Sequence, residues 1–384
     1  MTNAQTEQRV KKEFIARFGD GDFYVASAPG RVNLIGEHTD YNQGYVLPMA
    51  LDRRVYLAFQ PRNDGIVHVH ALDLDEEGQS DLSAISVDSL PRFMSFIVAA
   101  GDFMRRYRSP MRGFNAVLGS TIPIGGGVSS SSAIVVASAS AFRHINQPDI
   151  SLRHFIELLG ECEWQYSGVR GGIMDQYTSL LAKRGMAMLL DCRSLECRYV
   201  RVPDGLSVLV ADTCTEHELV ATPYNERRNA CDEAAKVLEV NALRDTDLES
   251  LEAARSVLDP VHYRRAKHVI SEIERTIACA EALERSDLNR VGQLVDQSHQ
   301  SLRDNFEVSC NELDAMVEAA HAGPGCLGAR MMGGGFGGCA LVLVELNNSK
   351  EMIEHLYKKY RAETGIEPRV CETGAGAGAC VVKV

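Results

Sequence analysis

Four side chains able to do chemistry crowd one stretch of this 384-residue chain. Arg31, Glu37, His38 and Asp40 lie within ten residues, inside Pro29–Pro48, PGRVNLIGEHTDYNQGYVLP. Pro29-Gly30, Gly36 and Asn42-Gln43-Gly44 supply what a connection between two strands requires. Such a connection does not require an Arg, a Glu, a His and an Asp around an apolar Val-x-Leu-Ile. The stretch therefore reads either as a solvated polar loop or as a chemical site. A metal held by His38 and Asp40 would lack a third ligand.

Further candidates come in order along the chain. Ile122 to Ala133, IPIGGGVSSSSA, joins an apolar strand to an apolar helix. Three consecutive glycines let successive N–H groups converge on an anion, and the serines cap a helix whose N-terminus adds partial positive charge. That combination holds phosphate, the alternative being a Gly/Ser linker. No Gly-Lys-Ser/Thr follows, so it is not a Walker A loop. Glu163 falls within the helical stripe Leu152, Phe155, Ile156, Leu159 and Tyr166, while Glu161 points the opposite way. A carboxylate there belongs to a frayed last turn or ligates a hard cation such as Mg²⁺. Asp175, after Gly171-Gly172-Ile173-Met174, opens another helix whose N-terminus favours its ionised form, a position many structural aspartates share.

The elements that must position these groups follow from periodicity. Residues 6–19 predict an amphipathic helix with Val10, Phe14, Ile15 and Phe18 on one side. Strands are expected at Tyr24–Ala28, Tyr45–Leu51, Val55–Phe59, Ile66–Ala71, Phe114–Ser120, Met186–Leu190 and Leu206–Ala211, with residues 73–91 irregular. Helices are expected from Phe93 to Arg106, from the serine run to Phe142, and from Tyr224 to about Val240, with helical patterns on to about Ala322. A composition shift near Arg198–Leu206 divides the chain into 1–198 and 199–384. A second glycine loop, Met331 to Cys339 (MMGGGFGGC), sits between strand-like Cys326–Arg330 and Ala340–Glu345. Gly374–Ala379 reads as a tight turn before a final strand.

Composition narrows the class. A hydrophobic fraction of 45% and a charged fraction of 24% are those of a globular protein. A net charge of −12 argues against a nucleic-acid partner. The basic runs Arg264–His268 and Lys358–Arg361 read as solvated helix faces. No apolar run approaches the roughly 18 residues of a membrane span, and no signal core opens the chain. The 11 cysteines, all at or after Cys162 and without a CxxC pair, read as free thiols of a reducing cytoplasm.

Pro29 to Asn42, Gly125 to Ser131 and Gly333 to Gly338 resemble, in order and spacing, the three motifs of the GHMP small-molecule kinases. The first, continuing to Pro48, is similar to the galactokinase signature, and Gly172–Gln176 and Tyr224–Arg228 match that family as well. The resemblance implies a two-domain α+β fold with mixed sheets and flanking helices, its active site in the interdomain cleft. It implies transfer of the ATP γ-phosphate to the C1 hydroxyl of α-D-galactose, with Mg²⁺ and no obligate protein partner. Residue by residue, Asp175 would accept the hydroxyl proton, and Arg31 would orient Asp175 and stabilise charge on the phosphoryl group. Glu37, His38, Thr39, Asp40, Gly172 and Tyr224 would line the sugar. Gly125, Gly126, Gly127, Val128, Ser129, Ser130 and Ser131 would wrap the ATP phosphates, with Ser131 and Glu163 on Mg²⁺. Phe93 opens the segment that resembles the family's adenine-contacting Trp-Ala-Asn-Tyr-Val and would stack on the base. The chain departs from the usual pattern at Val128, Ser132-Ala133 and Gly171. A kinase for a related sugar (arabinose, galacturonate, N-acetylgalactosamine) and a non-catalytic galactose/ATP sensor are the alternatives.

Overall fold

The computed structural model describes residues 1–85, 90–123, 127–167, 171–215 and 221–384, with all side chains in them but those of 163, 164, 166, 167 and 221. Helix α1 (Asn3–Phe18) leads to β1 (Tyr24–Asn33), β2 (Tyr45–Val46), β3 (Pro48–Pro61), β4 (Ile66–Ala71), β5 (Glu76–Asp81), α2 (Arg92–Met104), β6 (Phe114–Ser120), α3 (Ser130–Asn146), α4 (Leu152–Ser167), α5 (Met174–Leu181), β7 (Met186–Asp191) and β8 (Cys197–Arg201). The second half holds β9 (Leu206–Asp212), α6 (Ala221–Val237), α7 (Leu248–Ala253), α8 (Pro260–Glu284), α9 (Leu288–Ser301), α10 (Asn311–His321), β10 (Cys326–Met331), β11 (Cys339–Glu345), α11 (Ser349–Thr364), β12 (Arg369–Thr373) and β13 (Cys380–Lys383). The fold is α+β. A six-stranded mixed sheet has the order β13-β1-β3-β6-β4-β5, parallel only between β4 and β6. A four-stranded antiparallel sheet runs β10-β11-β9-β12, and a three-stranded one β2-β7-β8.

Alternation along the strands explains the layers. In the large sheet Val25, Tyr56, Ala58 and Val117 meet Val10 and Phe14 of α1. Their sequence neighbours Ala26, Leu57, Phe59 and Ala116 point the other way, into a core shared with α2 and α3. Strands β9 and β11 are apolar on both faces for the same reason. Val208, Val210, Leu341 and Leu343 join that large core, whereas Leu209, Ala211, Val342 and Val344 pack under α10 and α11. One apolar core thus runs from the first sheet into the second.

Several expectations are corrected. Tyr45–Leu51 and Val55–Phe59 are largely one long strand, β3, because no breaker separates them. Part of the segment expected to be irregular is β5, paired with β4. The shift at Arg198 falls inside β8, an unpredicted strand paired with β7. Leu152, placed in the apolar stripe of α4, is 44% exposed, while Phe155, Ile156 and Leu159 are buried. Arg264–His268 is only in part a solvated face: Lys267 is exposed, but Arg265 and His268 are buried, Arg265 against Glu307.

Gly374–Ala379 is not a tight turn. It crosses from β12 back to the first sheet, where β13 pairs with β1. The amides of Gly376 and Gly378 donate to Ala50 O and Ala182 O at 2.8 and 2.7 Å, and Arg54 donates to Gly378 O at 2.8 Å. A Cβ on Gly376 would lie 2.1 Å from Leu51 O, and one on Gly378 2.4 Å from Leu180 O, whereas one on Gly374 meets nothing within 4 Å. Gly376→Ala and Gly378→Ala are each expected to lower stability by roughly 1–3 kcal/mol, as overpacking against backbone does. Gly374→Ala should stay within about 0.5 kcal/mol of the parent. Urea midpoints at constant m-value check both.

Candidate active site

Arg31 sits where β1 slips register against β3 between Pro29 and Arg31. Its amide donates to Val128 O at 3.1 Å, so the strand is tied to the glycine-serine loop. Its guanidinium donates from Nε to Asp175 Oδ1 at 2.7 Å and from Nη2 to Asp175 Oδ2 at 2.9 Å, a planar two-point ion pair. Nη1 donates to Gly127 O at 2.8 Å. The hydroxyl of Ser129 also donates to Asp175 Oδ2. Ser129 was expected to cap α3; instead it takes a left-handed backbone (φ 56°) and makes no side-chain cap, so its hydroxyl is free for Asp175. Asp175 lies in the first turn of α5 with its side chain 22% exposed, against 8% for Arg31.

Val128 is buried, and Ser130 and Ser131 form the first turn of α3, half-buried. Gly125 and Gly126 lie outside the described residues, as does the side chain of Glu163, though its helix α4 packs on α3. Phe93 is only 5% exposed and packs into the large core from α2. Its ring is enclosed by that core, which leaves little face for a base.

The loop after β1 is held from the second half of the chain. Glu37 Oε1 accepts from Arg330 Nη2 at 3.0 Å and from the Gly333 amide at 2.9 Å, and Oε2 accepts from Asn33 Nδ2 at 3.0 Å. Arg330, wholly buried in β10, also donates to Leu34 O at 2.9 Å, to Met331 O at 2.7 Å and to Asn33 O. Beneath it the carboxylate of Glu272 on α8 accepts from the Gly36 amide at 3.0 Å, from Ser298 Oγ at 2.6 Å and from Arg275 Nε at 2.8 Å. Burial alone would raise the pKa of Glu272, but Arg275, His268 and Ser298 outweigh it and pull it down to about 2. Neither Arg330 nor Glu272 was anticipated. The one signal available was a charged residue interrupting the apolar run Leu327–Met332.

His38, Asp40 and Tyr224 share one wall. His38 Nδ1 is 2.8 Å from Tyr41 Oη, and its ring centroid is 5.3 Å from Tyr224 and 4.6 Å from Phe306, which ends a one-turn π-helix, Leu302–Phe306. Burial lowers the His38 pKa to about 3, so the ring is neutral. Among the described residues no group of three or more ligands could hold a metal ion, with His38 or elsewhere. Thr39 is fully buried with its hydroxyl between Gly36 O and Tyr45 O, where it closes the turn. Asp40 is half-buried and accepts from the Tyr41 amide at 2.9 Å. A Cβ at position 172 would fall 2.0 Å from Asp40 Oδ2, so only glycine admits that carboxylate. Burial, then the charge of Asp175, raise the Asp40 pKa to about 6.

Three family models match this chain: the galactokinase galactose-binding signature over residues 12–61, the GHMP kinases N terminal domain over 95–183 and the GHMP kinases C terminal over 279–362. A galactokinase of Chloroflexus aggregans is 42% identical over 371 residues, 95% of each chain. A galactokinase of Homo sapiens is 40% identical over 368 residues, 93% of each. The structure of Lactococcus lactis galactokinase complexed with galactose superposes with a TM-score of 0.90 at 27% identity, covering 98% of both chains. A mevalonate kinase from Methanococcus jannaschii, at 18% identity and a TM-score of 0.65, shares the fold.

Two outcomes follow from the buried charges. An acid whose folded pKa is raised is penalised once ionised, so Asp40 costs nothing below about pH 4 and its full penalty above about pH 6. Asp40→Asn in the ligand-free protein is therefore expected to gain up to about 3 kcal/mol over the parent at pH 7.5. The two proteins should converge by pH 4, as read by urea unfolding across that range. Arg330→Met strands a buried carboxylate and is expected to cost about 3–5 kcal/mol. Adding Glu37→Gln should recover part of that loss in the same assay.

Proposed function

This chain belongs to the galactokinase family of the GHMP kinases, and on that premise we propose that it transfers the γ-phosphoryl group of ATP to the C1 hydroxyl of α-D-galactose, giving galactose 1-phosphate and ADP. One observation carries the chemistry. The two-point pair between Arg31 and Asp175 also takes the carbonyl of Gly127 and the hydroxyl of Ser129, so proton acceptor, cation and phosphate loop meet at one place. Phosphoryl transfer to a hydroxyl is governed by positioning and charge neutralisation, which these groups can supply.

In this reading Asp175 receives or anchors the C1 hydroxyl proton. Arg31 holds Asp175 and neutralises charge on the phosphoryl oxygens, which replace the Gly127 carbonyl as its partner. Asp40, His38, Tyr224 and the backbone at Gly172 line the sugar, Glu37 offers its carboxylate from below, and Thr39 keeps the turn closed. Neutral His38 and ionised Asp40 give the sugar hydroxyls acceptors at neutral pH. The backbone from Gly125 to Ser131 wraps the phosphates, as the start of α3 favours. The Ser131 hydroxyl and the Glu163 carboxylate are hard oxygen donors of the kind Mg²⁺ takes beside phosphate, and that ion would offset the phosphate charge. The working units are 1–198 and 199–384, with the end of β8 (199–201) and β13 lent back to the first. Eleven free thiols support a reducing cytoplasm, and no helix among the described residues is long and apolar enough to cross a membrane.

Asp175→Asn tests the roles. Its kcat should fall about 10²–10⁴-fold in an ADP-release assay, the range for a positioned acid–base group. Calorimetric galactose binding should persist. Turnover within a fewfold of the parent would remove Asp175 from the chemistry. A panel of free sugars with ATP and Mg²⁺ should show galactose as the preferred acceptor, and preference for arabinose, galacturonate or N-acetylgalactosamine would replace the sugar assignment.

A further inference from the structure

A second cluster with the order thiol, imidazole, carboxylate lies where α10 gives way to β10. Cys326 Sγ is 3.9 Å from His321 Nδ1, and His321 Nε2 is 3.3 Å from Asp296 Oδ1 on α9. Asp296 is itself held by the Ala329 amide at 2.9 Å. A thiol, an imidazolium beside it and a carboxylate that holds the imidazolium are the parts of an activated thiol. His321 ends α10, where unpaired carbonyls favour the imidazolium form, and its contacts with Asp296 first and Cys326 second push its pKa up to about 10. The same elements also carry Arg290, Glu312, Glu318 and Arg330, and His299 Nε2 lies 3.4 Å from Asp314 Oδ1. Burial keeps His299 neutral, with a pKa lowered to about 4. Among the described residues no group of three or more side chains is placed to hold a metal, so the cluster is not a metal site.

Reactivity also needs access. The side chains of His321 and Asp296 are 44% and 39% exposed, and Cys326 is half-buried at the head of its strand. Cys162, Cys231, Cys279 and Cys339 are buried. Burial raises the thiol pKa of Cys192, Cys197, Cys310 and Cys371. Cys214, 3.2 Å from the Arg369 guanidinium, and exposed Cys380, 3.4 Å from Ser27 Oγ, are the thiols that compete with Cys326.

We propose that Cys326 is the reactive thiol of this protein, activated by His321 and Asp296, and a site of reversible mixed-disulfide formation with small disulfides. The Cys326 thiolate attacks one sulfur of the disulfide. The new S–S bond forms as the old one breaks, and the other half departs as a thiolate that takes a proton from water. The disulfide is the oxidant, so no further reagent is needed. His321 stays protonated and sets its positive charge beside the attacking sulfur.

The test uses the full chain at pH 7 with less than one equivalent of iodoacetamide, and separately with oxidised glutathione, followed by peptide mass spectrometry. The Cys326 peptide should be modified first with both reagents. His321→Gln should slow that modification about tenfold or more, and Asp296→Asn should slow it to a smaller degree. Galactose-dependent ADP release should be unchanged in both variants. First modification at Cys214 or Cys380 overturns the proposal. So does an unchanged Cys326 rate in a His321→Gln protein whose thermal melt matches the parent. Should either variant fail to fold, the order of modification in the unaltered chain still decides.

Discussion

The structure depends on a carboxylate that has been taken out of water. Glu37 is 3% exposed, and its attraction to the wholly buried Arg330 is what makes that position tolerable. An isolated charge there would be prohibitive, and a pair is tolerable only when every remaining donor and acceptor is met. Here they are met by Asn33, Gly333 and the carbonyls of Leu34 and Met331. The loop after β1 and the second glycine loop are thereby parts of one network. Neither can shift without leaving a buried charge unpaired.

Around this fixed point the acidic groups are crowded. Burial and the charge of Asp175 raise the cost of ionising Asp40, and Gly172 lets the Asp40 carboxylate approach closer than any side chain would allow. Arg31 relieves Asp175 but is shared with the loop carbonyl of Gly127. A site crowded in this way gives up stability when empty, and on the proposed function sugar hydroxyls and phosphate oxygens would satisfy groups that now face one another. The π-turn at Leu302–Phe306 belongs to the same compromise. It departs from regular helix and sets the Phe306 ring against both His38 and His268.

What could be read from the chain alone was set by the range of each signal. Arg31, Glu37, His38, Asp40 and Asp175 were legible because they sit in short stretches whose turn and helix-start chemistry is local. Strands β9 and β11 were equally plain as short apolar runs. Arg330 was not, because its partner Glu37 lies 293 residues earlier and no local pattern announces the pairing. The serine run departs from expectation at Ser129 for a related reason. A serine before a helix usually caps it, and only the placement of Asp175, 46 residues on, draws the hydroxyl away. The basic run at Arg264–His268 looked solvated because helical spacing says which residues share a face, not what lies opposite. The alternating glycines at 374–379 suggested a turn, yet they serve close passage beside Leu51 and Leu180.

That passage has a bearing on how the chain is born. Strand β1 is the second strand of the large sheet, and its outer neighbour is contributed by residues 380–383. A polypeptide leaving the ribosome from its amino end must expose the hydrogen-bonding edge of β1 throughout synthesis of the second half. The amino-terminal half therefore cannot reach its finished form during translation, and that open edge is where molecular chaperones would have reason to bind.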